Sequence, residues 1–189
     1  MQGQAPPAYS WQLLELGGMT ADAAPWQGTT TSDHGPVLVE TLLLSERDGV
    51  LHVRARRRPL HDGHHPDDIA RTLSGLTACT PGGLLHSTSW RFDAGAVVLT
   101  YVALPDPHPR PDALPVPLDA AATATGPLAP SPPRVDLAAV AAHACRHLAL
   151  LTTIDGDVAL AARALPDLWE PITKLTPGAA GGLQPVNLT

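Results

Sequence analysis

Across 50–56 apolar and polar residues alternate from Leu51 onward, with Leu51, Val53 and Ala55 set against His52, Arg54 and Arg56. A period of two predicts a strand with one buried and one solvated face. A valine and leucine run over 37–44 precedes it across Glu46-Arg47-Asp48-Gly49, a turn signature, so the two segments are expected to pair as a hairpin. A second hairpin is expected from 84–92 and 96–104 around Asp93-Ala94-Gly95. Between them Pro66-Asp67-Asp68 opens a helix, since proline suits the first turn and carboxylates favour its positive end. Ile69, Leu73 and Leu76 give that helix one apolar stripe over about ten residues, ending before Pro81-Gly82-Gly83. Upstream, 11–16 suggests a short first strand followed by a long polar loop to Pro36.

The texture changes after residue 104. Ten of the chain's 21 prolines fall within 105–133. Proline fixes φ and donates no hydrogen bond, so this stretch is expected to run as an extended, mostly solvated connector. Beyond it Leu137, Val140, Ala141, Ala144, Leu148 and Leu151 trace a helical stripe, with Ser131-Pro132 or Asp136 as its cap. Asp155-Gly156-Asp157 starts a second helix carrying Val158, Ala161, Ala162 and Leu165. Pro166 and Pro171 are expected to break the rest into short turns bearing Leu168, Trp169 and Ile172.

The fold expected is α+β: a mostly antiparallel sheet of two hairpins flanking a helix, covered on one face by C-terminal helices reached through the proline-rich connector. A length of 189 residues suits one domain over 1–177, with a core at 37–104, the connector at 105–133, a helical part at 134–177 and a flexible tail at 178–189. A formal net charge of −6 argues against a nucleic-acid or anionic-membrane surface, although a local basic patch can survive within it. The N-terminus carries no signal-peptide pattern and no window approaches a membrane span, so a soluble, cytoplasmic protein is expected. Cys79 and Cys145, outside any CxxC pair, are expected to be buried thiols.

Several groups of residues bear on chemistry. Strand periodicity places His86 and Thr88 on one face, with Trp90 and Phe92 beyond. This H-x-T pair resembles half of the active site of the 2H phosphoesterases, in which histidine is the acid or base and the hydroxyl binds phosphate; the family's second pair is missing here. His61, His64 and His65 join Asp62, Asp67 and Asp68 in one eight-residue stretch of potential ligands, yet no spaced motif organises them, so no metal and no cofactor are expected. His143 and His147 share a helix flank, while Cys145 falls some 160° away from His147, by the roughly 100° turn per residue. Arg54 and Arg56 begin the chain's basic run and project from one strand face, where they could grip phosphate or carboxylate. The order of elements over 37–104 resembles the core of a Nudix hydrolase, but the helix has none of that family's metal-holding glutamates.

No complete set of nucleophile, base and orienting group emerges. The expected function is therefore non-enzymatic binding of a protein or small-molecule partner, with a homodimer as one possibility. The rival is a binder or phosphoesterase-like enzyme for phosphate-bearing ligands, using Arg54, Arg56, His86 and Thr88 with Trp90 nearby. That rival requires the two hairpins to bring these side chains together.

Overall fold

The computed structural model describes residues 35–119 and 135–178. The strand expected at 11–16, most of the loop after it, the connector over 120–134 and the tail beyond 178 lie outside the described residues.

Strands β1 (Val37–Arg47) and β2 (Val50–Pro59) form the first hairpin, turning on Asp48 and Gly49 at φ of 53° and 77°. Two left-handed residues match the twist of the flanking strands, which is why Asp-Gly suits the position. Strands β3 (Leu84–Asp93) and β4 (Ala96–Leu104) repeat the device at Ala94 and Gly95. The hairpins join through parallel pairing of β1 with β4, Leu42 beside Val102, while every other pairing in the sheet is antiparallel. With β5 (Leu114–Pro115) outside β2, the order among the described residues is β3-β4-β1-β2-β5.

Alternation sends the side chains of each strand to opposite faces. One face presents Leu42, Leu44, Leu51, Val53, Val102 and Leu104, all buried under the C-terminal helices α2 (Leu137–Ile154), α3 (Gly156–Ala164) and α4 (Pro166–Thr173). The other presents Val39 and Tyr101 to Ala70 and Leu73 of α1 (Pro66–Ser74). Helices therefore cover both faces, not one. Two of the three polar positions of β2 are covered as well: His52 is only 8% exposed and Arg54 reaches buried Asp106, whereas Arg56 is exposed and donates to the Leu73 carbonyl of α1. A charged side chain long enough to find a partner gives the same alternating pattern as a solvated one.

The helix boundaries follow local chemistry. His65 caps α1, accepting from the Asp67 amide at 3.2 Å, and Gly75 ends it at φ 71°, so Leu76 lies beyond a helix shorter than expected. Asp136 caps α2 by accepting from Ala139 N at 2.7 Å. Asp155 caps α3 through the amides of Asp157 and Val158. Pro166 and Pro171 do not break the chain into turns: α4 is one helix, with Pro166 in its first turn and Pro171 inside, because burying Leu168, Trp169 and Ile172 outweighs one missing hydrogen bond. At 18 residues and a mean hydropathy of 1.4, α2 is long and apolar enough to cross a membrane, contrary to expectation, but its Val140, Ala141, Ala144, Cys145 and Leu148 are buried in this core.

Two further expectations change. The first part of the connector is built into the fold: Asp106 N donates to Leu44 O, Val116 N donates to Leu51 O, and Asp106, Ala113 and Val116 are buried. Prolines exclude a central strand, yet an edge needs few donors. Cys145 is buried, which pushes its thiol up to about 12, but Cys79 is exposed.

Candidate anion-binding cleft

The segment after β4 is pinned to β2 by an ion pair. Arg54 donates through Nε and Nη2 to the two carboxylate oxygens of Asp106, at 2.5 and 2.7 Å, and Asp106 also accepts from the His108 amide at 2.9 Å. Burial alone would raise the Asp106 carboxyl, but the Arg54 and His108 hydrogen bonds outweigh it and hold the group below its ordinary range. Arg54 is correspondingly raised, chiefly by its bond to Asp106. Arg54 is thus a structural anchor as well as a wall of what lies beside it.

Pinning Asp106 there carries the following turn, in which Ala113 N donates to Arg110 O at 3.2 Å, along the outside of β2. Between turn and strand opens a cleft of about 630 Å³ lined by Arg54, Ala55, Arg56, His108, Arg110 and Asp112. Arg56 spends Nη1 on the Leu73 carbonyl at 2.8 Å, at the end of α1. Arg110 is exposed and has no hydrogen-bond or ion-pair partner among the described residues. Three guanidiniums and an imidazole therefore surround a site whose nearby carboxylates are Asp106, already paired, and Asp112. A planar guanidinium fork matches a carboxylate or phosphate oxygen pair, so the arrangement suits an anion.

The structure does not bring Arg54 and Arg56 together with His86 and Thr88. β4 and β1 stand between β3 and β2, so the two pairs are roughly 14 Å apart at normal strand spacing. His86 also faces away from the arginines, stacking on His147 of α2 with ring centroids 5.5 Å apart. A bulge at Ser87–Ser89 breaks the period of two in β3. Thr88 is consequently buried, its Oγ1 donating to Thr100 O, and Trp90 stands on the α1 face opposite Leu99, 65% exposed. His61 and His64 meet edge-on at 6.4 Å, and His65 is occupied in capping α1. Among the described residues no three His, Cys, Asp or Glu side chains are grouped to hold a metal ion.

Sequence reasoning found Arg54 and Arg56 but missed His108, Arg110 and Asp112, which lie in the stretch read as a solvated connector. Its charged residues, spaced between prolines in PDPHPRPD, were the available signal. No protein-family model matches the chain, and no curated protein matches it.

Proposed function

We propose that this chain is a soluble, cytoplasmic, non-enzymatic binding protein that recognises an anionic group, phosphate or carboxylate, in the cleft outside β2. The observation that carries this is the convergence of Arg56, Arg110 and His108 on one cleft beside the anchored Arg54. None of its six lining residues is Ser, Thr, Cys or Lys, so the cleft holds no hydroxyl, thiol or amine nucleophile for a base to activate. Separation of His86 and Thr88 from the arginines weighs against the phosphoesterase-like alternative.

Calorimetry and thermal shift with inorganic phosphate, pyrophosphate and citrate test the proposal. At least one of these anions should raise Tm, by a margin that approaches 2.7 kcal/mol of stability at about 100 times its Kd. Arg110→Ala should weaken that binding without lowering the Tm of the free protein, and added salt should weaken it further. A chain that responds to none of the three, or an Arg110→Ala variant that binds as well as the parent, overturns the proposal.

A further inference from the structure

The cleft adjoins a length of strand edge that nothing described pairs with. β5 reaches only the first part of β2: Leu51 O accepts from Val116 N at 2.8 Å, and Val53 stands opposite Leu114. Backbone groups of alternate residues point to the same side of a strand, so those of Ala55 and Arg57 point away from β1, like those of Leu51 and Val53. On that outer side, among the described residues, no strand pairs with Ala55 or Arg57. Pro59, the next outward position, has no N–H and closes the edge.

Charge says what suits this edge. Arg56 and Arg58 project two residues apart on the α1 face, roughly 7 Å between them, and both are exposed. Arg57 points to the other face, where Glu40 already neutralises it. A strand laid beside β2 repeats its side chains with the same spacing, so carboxylates at alternate positions would meet Arg56 and Arg58. Arg110 stands across the cleft from Ala55 and Arg56. Like edges repel one another across such a run, whereas an acidic strand is drawn in.

Resting on the anion-cleft proposal and deepening it, we infer that the β2 edge from Ala55 to Pro59 binds an extended peptide with acidic residues at alternate positions, added to the sheet as a strand. Main-chain bonds at Ala55 and Arg57 supply the register, and Arg56, Arg58 and Arg110 read the carboxylates.

The experiment uses the full chain, a labelled peptide alternating glutamate with valine, its lysine counterpart, and inorganic phosphate. Fluorescence anisotropy should show the glutamate peptide binding and the lysine peptide not. Arg58→Ala and Arg110→Ala should each weaken the glutamate peptide about tenfold. Hydrogen exchange should slow at the Ala55 and Arg57 amides with the glutamate peptide and not with phosphate, and N-methylating alternate peptide amides should abolish both effects. Phosphate binding without peptide binding overturns this inference and leaves the anion cleft standing. Failure of the peptide together with phosphate, pyrophosphate and citrate overturns both proposals, and peptide binding without protection at Ala55 and Arg57 overturns strand addition.

Discussion

Glu40 is fully buried, yet Arg91 holds it from one side at 2.8 and 3.1 Å and Arg57 from the other. Burial would raise its carboxyl, but the hydrogen bond and charge of Arg91, then those of Arg57, outweigh it and keep the group below its ordinary value. Arg91 Nε meanwhile is buried without an acceptor. Glu40→Leu should therefore cost about 3–5 kcal/mol, because it strands a buried guanidinium, whereas Glu40→Leu with Arg91→Leu should recover most of that loss. Urea denaturation of the two variants measures the difference, and a double variant no better than the single one would show that the stranded charge is not the cause. The imidazoles set the opposite sign of pH dependence from the usual rise on protonation. Burial, then the charges of neighbouring His86 and His143, lower His147, and burial, then Arg146, lower His143. The unfolded chain takes up protons first, so this contribution to stability is complete above the ordinary histidine value of about 6.5 and falls away as pH drops below it. Tm scans downward from neutral pH should show that loss, and it should flatten in a His143→Gln/His147→Gln variant.

At the scale of the element, α1 is held to the sheet by polar contacts at both ends. Tyr101 donates its hydroxyl to Asp67 in the first turn, and Arg56 donates to the Leu73 carbonyl in the last. Burial, then the Asp67 hydrogen bond, push the Tyr101 phenol up to about 12, so it remains a donor throughout the physiological range. Tyr101→Phe should cost about 1 kcal/mol and speed hydrogen exchange in α1 more than in α2. Equal acceleration in both helices would mean that α1 does not open on its own. Gly75→Ala should destabilise the same helix, since Gly75 sits at φ 71° and a Cβ there would meet Pro107 at 3.3 Å. For α3, Asp155→Ala removes the side-chain acceptor of two amides and should cost about 1 kcal/mol by urea denaturation.

For the whole molecule, the C-terminal helices are the cover of one sheet face. Truncation after residue 104 would expose Leu42, Leu44, Leu51, Val53 and Val102 and also remove Asp106 and β5. Each large apolar side chain is worth roughly 1.5–3 kcal/mol when buried, so the fragment should aggregate, and a soluble, cooperatively melting fragment in light scattering and calorimetry would contradict that. A period of two determined β2, a helical period determined the helix between the hairpins and the stripe of α2, and apolar runs bounded by turn residues determined the other long strands, because each signal lies within the element itself. The turns at Asp48-Gly49 and Ala94-Gly95 and the cap at Asp155 were legible for the same reason, being chemistry between neighbours in the chain, while for α2 two caps stood open and the fold uses Asp136. What the sequence left open depends on which distant segments meet. Glu40 interrupts the apolar run of β1, but the arginines that let it be buried lie 17 and 51 residues away. The parallel junction of β1 with β4 put His86 and Arg54 on opposite faces and far apart, and the ion pair of Arg54 with Asp106, 52 residues on, turned a presumed connector into the wall of a cleft. No local pattern records such pairings, because strand order and long-range charge pairing are settled only when the faces they bury come together.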